Sequence, residues 1–322
     1  AYAAPGARPD LPRRCDAIPC ESENVPAASL ALLEQHNPVR PAASAVRVCQ
    51  DRREEKAFLA RAGVPVAPTL PLLPGEPLPA MTEELFPAIL KTAREGYDGK
   101  GQWTIQNAEE LPAALTASGV PCVLEKRLPL EGEFALTLAR SPSGAISALP
   151  LVQNWHSGGI LDQTSSPANV PALEAKAQRI AEHIISALDY VGVLTVEFFL
   201  VGGELLVNEM APRPHNSGHP SIDNAVCSQF ELQVRALCDL PLPAQADVQP
   251  AILLNLLGDL WQDGTPDWAG ALALPGVHLH LYGKGEARPG RKMGHVTVTG
   301  REWPVVEATA SQLRNLLGLP PR

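Results

Sequence analysis

The alternation of apolar and polar positions divides the chain into recognisable elements. "SLALLEQH" (29–36) reads as helical and "PVRP" as a short extended stub. "DRREEKAFLARAG" predicts a helix opened by a D-x-x-E capping box at Asp51 and Glu54. Phe58, Leu59 and Ala62 share one of its faces, and Gly63 with Pro65 ends it. "VPVAPTLPLLPGEPLP" (64–79) is a proline-rich connector and the first candidate boundary. From 81 to 151 short apolar runs ("AILK", "WTIQ", "CVLEK", "EFALTLAR", "AISALPLV") are separated by turn residues, predicting a small strand-rich module. Leu173, Ile180, Ile184 and Leu188 recur at helical spacing over 172–189. "GVLTVEFFLVGGELLVNEM" (192–210) predicts a hairpin, and Ser228 with Glu231 a second capping box opening "SQFELQVRALC". "DLPLPAQADVQP" reads as another linker. The alternating strands "VHLHLY" and "HVTVTG" and an amphipathic helix ending "LRNLLG" follow. The fold class expected is α/β, leaning to α+β, with units over 1–75, 76–151, 152–245 and 246–322.

The hairpin holds the most informative pair. Glu197 and Glu209 each lie six residues from Gly203, so a turn centred there opposes them across the ladder. Opposed residues have Cβ atoms about 4.5–5.5 Å apart, and like charges so placed are destabilising. Their apolar setting makes two bare charges costly. Two remedies exist, a proton on one acid or a cation between them; a divalent ion with oxygen ligands is the natural one, and Mg²⁺ usually takes one or two carboxylates and completes its shell with water and phosphate oxygens. Asn208 points to the other face unless a bulge re-aims it. The alternative is a register one residue off, with both acids solvated.

A metal that carries phosphate gives meaning to "GYDGKGQW" (96–103). Glycines let backbone N–H groups approach a phosphate, and Lys91 and Lys100 are placed to meet a polyphosphate. Gly101 follows Lys100 where a Walker loop needs Ser or Thr, so the stretch is a flap over a nucleotide rather than a cradle beneath it. A plain glycine-rich hairpin turn competes with that reading.

Composition narrows the partners. A net charge of −9 argues against a nucleic-acid surface, and no run of 18 or more apolar residues suggests a membrane span. Six cysteines without a C-x-x-C pair, behind no charged-then-apolar leader, lead to the expectation of reduced thiols and a cytoplasmic protein. His215 and His219 stand at H-x-x-x-H spacing, but Pro214 and Gly218 oppose the helix that would align them on zinc. "RPGRKMGH" alone reads as a solvated basic loop. His278, His280 and Tyr282 line one face of a strand and read as surface or dimer contacts.

"KTAREGYDGKGQW", "LVQNWHSGGIL", "YVGVLTVEFF", "LLVNEMAPRPHNSGH", "SQFELQVRALCDLPL" and "RPGRKMGH" together resemble the N5-carboxyaminoimidazole ribonucleotide synthetases of purine biosynthesis, which belong to the ATP-grasp ligases. The resemblance runs from "ESENVP" to the final strands. It implies an ATP-grasp fold with a partial N-terminal pre-ATP-grasp domain and a small C-terminal β-rich domain, acting as a homodimer. It implies carboxylation of 5-aminoimidazole ribonucleotide by bicarbonate, with ATP and Mg²⁺. Arg52 and Lys91 would meet the ATP phosphates. Gly96, Tyr97, Asp98, Gly99, Lys100, Gly101 and Gln102 would form the flap, with Tyr97, Asp98 and Lys100 also reaching the imidazole nucleotide. Glu125, Lys126, Arg127 and Leu128 would hold the adenine edge through backbone groups, Glu133 the ribose hydroxyls, and His156 would lie near the nucleotide. Glu197 and Glu209 would bind Mg²⁺ with Asn208 beside them. Arg213, His215 and Asn216 would face bicarbonate and the imidazole and, with Lys100, carry the chemistry. Glu21 would contact the substrate, and Lys284 and Arg291 its ribose phosphate. From the opening "AYAAPGARPD", the family's first strand and glycine-rich loop are expected to be missing from this sequence. Two other readings stand beside this one: a sister ligase such as a formate-dependent glycinamide ribonucleotide transformylase, and a nucleotide-binding relic without turnover.

Overall fold

The computed structural model describes residues 11–79, 83–96, 99–243 and 248–322. Helix α1 (Leu11–Arg14), strand β1 (Ile18–Pro19), helix α2 (Ala27–Glu34), strand β2 (Val39–Arg40), helix α3 (Ala43–Gln50) and helix α4 (Arg52–Arg61) come first, with β1 and β2 paired in parallel. Then come β3 (Thr69–Leu72), β4 (Ala88–Thr92), β5 (Gln102–Ile105), α5 (Leu111–Ser118) and β6 (Cys122–Lys126). These four strands make one antiparallel sheet, in the order β3-β6-β4-β5. Helix α5 covers it through Leu111 and Leu115, packed with Leu72, Leu90, Ile105 and Leu124. The expected connector 64–79 is therefore not only a linker, because β3 forms an edge of this sheet. Pro71 is tolerated there since an edge strand has an unpaired side for a residue without N–H.

The chain continues through β7 (Gly132–Arg140), β8 (Ile146–Ala148), β9 (Val152–Ser157), β10 (Ile160–Ser166), α6 (Pro171–Ala187), β11 (Gly192–Val201), β12 (Glu204–Ala211), α7 (Ser221–Asn224) and α8 (Gln229–Leu237). It ends with β13 (Ala251–Leu257), α9 (Trp268–Ala273), β14 (Val277–Leu281), β15 (Lys292–Thr299) and α10 (Trp303–Leu316). Among the described residues these strands form one sheet, β12-β11-β7-β9-β10-β13-β15-β14, with β8 paired to β7. Two expectations change here. Strands β7 and β8, read from sequence with the small module, pair into the large sheet. The C-terminal strands extend that same sheet through β10 and β13, although they have their own core beneath α10.

Helix α6 follows its sequence pattern. Ile184 and Ile185 are fully buried against Leu136, Leu138, Val196 and Phe198, and Leu173, Ile180 and Leu188 flank them. Each buried Ile contributes about 1.5–3 kcal/mol relative to exposure. The two capping boxes form only by half. The Asp51 side chain accepts from the Arg53 amide at 3.0 Å while Glu54 turns to Arg47, and Ser228 accepts from Glu231 N at 3.2 Å while Glu231 bonds Arg235. Long basic partners within reach outcompete the backbone amide for each glutamate.

Asp51 is 1% exposed and binds both Arg53 and Arg94, so the cap also ties α4 to the small lobe. Burial alone would raise its carboxyl, but the two guanidinium groups hold it down, to about 2. Depression of an acid stabilises the fold above the unfolded value near 3.9 and is lost as pH falls towards the folded value. Asp51→Ala is expected to lower the thermal midpoint at pH 7 by the equivalent of about 0.5–2 kcal/mol. Calorimetry should show the gap from wild type narrowing between pH 4 and pH 2, and a constant gap would refute the assignment.

Candidate active site

The site is built on the β11–β12 hairpin. Gly202 and Gly203 have φ of 57° and 76°, the pair of positive values that a two-residue type I′ turn requires and that other residues resist. The turn sets Val201 opposite Glu204 and Phe198 opposite Val207. Continued unbroken, that register would oppose Glu197 to Asn208. A bulge intervenes between Phe198 and Glu197, Asn208 becomes the extra residue, and Glu197 faces Glu209. The bulge also re-aims Asn208, whose Nδ2 donates to Glu197 Oε2 at 3.4 Å, while its backbone carbonyl accepts from Lys56 Nζ at 2.7 Å.

The paired acids differ in their surroundings. Burial, and then the neighbouring Glu209 carboxylate, push Glu197 upward. Burial acts on Glu209 as well, but the Arg52 guanidinium, 2.7 Å from its Oε2, holds it well below the ordinary range. His215 Nε2 stands 3.3 Å from Glu197 Oε1. Burial and the nearby Arg213 charge push that imidazole down to about 3, so it meets Glu197 neutral. One carboxylate is thus matched by a cation and the other is not. Asn208 Oδ1 is buried and has no hydrogen-bond partner. Two carboxylates and an orphaned amide oxygen are the hard donors that Mg²⁺ takes, so the residues present fit that ion.

Helix α4 supplies the next layer. Arg52, Glu55, Lys56 and Leu59 fall on one helical stripe, which carries three charged side chains into the interior. Glu55 Oε1 accepts from Met210 N at 2.6 Å, and burial pushes its carboxyl up to about 7. Glu125 is 3% exposed and clamped between Lys91, at 2.6 Å, and Lys56, at 3.0 Å. The acids and bases therefore alternate across the seam between the two sheets.

A cleft of about 1270 Å³ opens above this seam. It brings together Arg52, Lys91, Gly96, Gly99, Gln102, Glu125, Lys126, Arg127, Leu128, Glu133, His156, Glu197, Asn208, Glu209, Arg213, His215 and Asn216. Glu133 Oε2 lies 2.6 Å from His156 Nδ1 and, against burial, holds that imidazole above its ordinary value. The amides of Lys126 and Arg127 are engaged by the Pro68 and Pro87 carbonyls at 3.0 and 2.9 Å, and Leu128 follows them along the cleft wall. The flap loop reaches the β9–β10 turn so closely that a Cβ on Gly99 would meet the Gly158 oxygen at 3.1 Å. Gly101 has a φ of 71° and a Cβ there would clash with Thr92 Oγ1 at 2.6 Å, so no side chain fits either place.

Other expected residues fall elsewhere. Tyr97 and Asp98 lie outside the described residues. Lys100 is exposed, and neither it nor Gly101 is on the cleft wall. Glu21 faces solvent, and Glu23, two residues on, lines the cleft and grips Arg213 through two contacts, Nη2 to Oε1 at 3.0 Å and Nε to Oε2. Lys284 and Arg291 are also off the wall: their cationic groups donate to the carbonyls of Lys292 and Glu286, while Lys292 itself lines the cleft. Sequence reading missed Glu23, Glu55, Lys56 and Lys292. The α4 stripe was visible, since Glu55 and Lys56 stand four and three residues before Leu59. For Glu23 and Lys292 the signal was the motif itself, without the facing of alternate residues.

His215 and His219 diverge, His219 turning towards His295 and Phe230, which disposes of the H-x-x-x-H reading. In the ion-free protein Glu197 is an acid raised by folding, so it costs stability increasingly as pH rises above the ordinary glutamate value near 4.3. Glu197→Gln is expected to raise the thermal midpoint in chelator at pH 8 and to leave it unchanged at pH 4. Equal midpoints at pH 8 would show that the pair is not in conflict.

A model of the ATP-grasp domain matches residues 57–230, and one of the phosphoribosylaminoimidazole carboxylase C-terminal domain matches 251–309. N5-carboxyaminoimidazole ribonucleotide synthase of Pseudomonas aeruginosa is 38% identical over 304 residues, spanning 94% of this chain and 82% of that protein. The crystal structure of the Thermus thermophilus synthetase superposes with a TM-score of 0.88 at 38% identity, covering 100% of this chain and 87% of that one. The Aspergillus clavatus enzyme, solved with ADP and 5-aminoimidazole ribonucleotide, gives 0.88 at 30% identity, covering 99% and 86%. With an alternating charge seam, a cross-strand acid pair and this likeness along nearly its whole length, the chain belongs to the N5-carboxyaminoimidazole ribonucleotide synthase family of ATP-grasp ligases.

Proposed function

We propose that the protein carboxylates 5-aminoimidazole ribonucleotide at its exocyclic amine, using bicarbonate and ATP and releasing ADP and phosphate. The observation that carries this reading is the opposed pair Glu197 and Glu209 with the orphaned Asn208 oxygen at the cleft floor. Mg²⁺ held there would neutralise the phosphate oxygens of ATP. Lys91, Lys56 and Arg52 supply positive charge beside the same point, which suits phosphoryl transfer, a reaction governed by positioning and charge neutralisation. The stretch Lys126–Leu128 offers hydrogen-bonding groups for the adenine edge, and Glu133 an acceptor for ribose hydroxyls.

Transfer of the terminal phosphoryl group to a bicarbonate oxygen gives carboxyphosphate and ADP. The amine nitrogen then bonds to the carboxyl carbon, the carbon–oxygen bond to phosphate breaks, and the amine gives up a proton. Arg213, His215 and Asn216 face the place where bicarbonate and the imidazole would meet. Arg213 is oriented by Glu23, and neutral His215 presents a hydrogen bond without adding charge. Water would destroy the intermediate, and the seating of Gly99 on the Gly158 turn supports a role for the flap in excluding it. Lys292 is the wall cation that suits the ribose phosphate, in place of Lys284 and Arg291.

Among the described residues no helix is long and apolar enough to cross a membrane, and all six cysteines are free, which supports the cytoplasm as the compartment. We also propose a homodimer. Ile222 on α7, Val226 between the two helices, and Phe230 and Val234 on α8 are exposed apolar side chains, with Val226 88% exposed, and a second copy of the chain would cover them. Sedimentation is expected to give twice the chain mass, and a monomer would remove this assignment.

The decisive assay measures ADP release with the imidazole nucleotide and bicarbonate. Glu209→Gln is expected to lose at least about 10²-fold in kcat while keeping its far-ultraviolet circular dichroism. Release that needs formate and glycinamide ribonucleotide would point to the sister ligase, and ATP binding without release to a relic.

A further inference from the structure

Away from the cleft, a second opposed pair lies in the same sheet. His280 on β14 and His295 on β15 are register partners, with rings 4.5 Å apart and 20° from parallel. Asp223 on α7 completes the group, its Oδ2 2.9 Å from His280 Nε2. One donor atom from each of the three lies within 4.8 Å of the other two. The sequence pattern suggested surface or dimer contacts for His280, but its ring bonds Asp223.

His295 is 1% exposed. Its Nδ1 meets the Tyr282 hydroxyl at 2.8 Å, while Nε2 is buried with no hydrogen-bond partner. A buried ring nitrogen left unpaired is unfavourable and calls for a partner. In the tautomer that donates Nδ1–H to the tyrosine oxygen, Nε2 presents a bare lone pair. Ligating histidines are oriented in this way, with the outer nitrogen fixed by an oxygen acceptor.

We propose that Asp223, His280 and His295 form a binding site for a first-row transition ion of the zinc type, separate from the Mg²⁺ site. Two imidazoles and one carboxylate are the three-protein-ligand set of zinc, with water as the fourth ligand. The same donors suit Mg²⁺ poorly, because it prefers oxygen. Zn–N bonds of about 2.0–2.1 Å need the donors drawn closer together. His280, 31% exposed at its side chain, has room to turn, and binding displaces the proton it shares with Asp223. The ligands come from α7 and from two C-terminal strands, so the ion would staple those parts together.

The test uses the tag-free full chain, stripped with chelator and titrated with Co²⁺ in a large excess of Mg²⁺, reading visible ligand-field absorption. One equivalent is expected, with the band displaced by Zn²⁺ and the thermal midpoint raised by either ion. His280→Gln, at a partly exposed side chain, and Asp223→Asn, which keeps the side-chain shape, should each weaken binding by at least about 10²-fold while remaining folded. His183→Gln, whose ring meets the Ala62 carbonyl from α6, should leave it within about twofold. Glu209→Gln should retain the Co²⁺ site even if it abolishes turnover, so this inference and the proposed activity fail separately. Absence of a Co²⁺ band in excess Mg²⁺, binding indifferent to His280→Gln, or loss in Glu209→Gln would each overturn it.

Discussion

The structure depends on keeping two carboxylates face to face on one ladder, half-buried at the floor of the cleft. Opposed carboxylates on one ladder repel, and burial makes the repulsion worse. The fold answers with counter-charges from other parts of the chain: Arg52 from α4 on Glu209, and Lys91 with Lys56 on the adjacent Glu125. Removing one member of such a buried group leaves the others uncompensated, so the network works as a unit. Its compensation is weaker at Glu197, whose contacts among the described residues are a neutral imidazole and an amide, with the His156 ring acting from further off. A cation held at the cleft floor, as proposed, would make good that deficit of positive charge.

Much of this was legible in the sequence. The acid pair could be placed because a diglycine turn and apolar flanks leave few registers. The distance count worked through two features that offset each other: the turn spans two residues rather than one, and a bulge at Asn208 restores the pairing. Sequence patterns carry the period of a strand but not its irregularities, and one extra residue reverses every facing beyond it. The same limit explains Glu21 and Glu23, where the motif was visible and the choice between alternate residues was not.

The sheet assignments were less legible for a different reason. Strand β7 has nearly continuous apolar positions, which suits a central strand, yet nothing in those residues names its neighbours. Pairing of β7 with β11, and of β10 with β13, is decided by packing across distant segments. The charged run of α4 was ambiguous in another way. Its arginine, glutamate and lysine look like a solvated face until the helical stripe is followed to Leu59, which is fully buried.

The continuity of the large sheet has a mechanical meaning. Glu197 on β11 and Lys292 on β15 belong to one hydrogen-bonded slab, linked strand by strand through β7, β9, β10 and β13. If Glu197 holds the ion and Lys292 the phosphate, as proposed, backbone pairing within that slab sets the spacing between them. The four-stranded sheet is outside that slab and carries Lys91 and Lys126, so a nucleotide bound as proposed would have its base on one sheet and its metal-bound tail on the other.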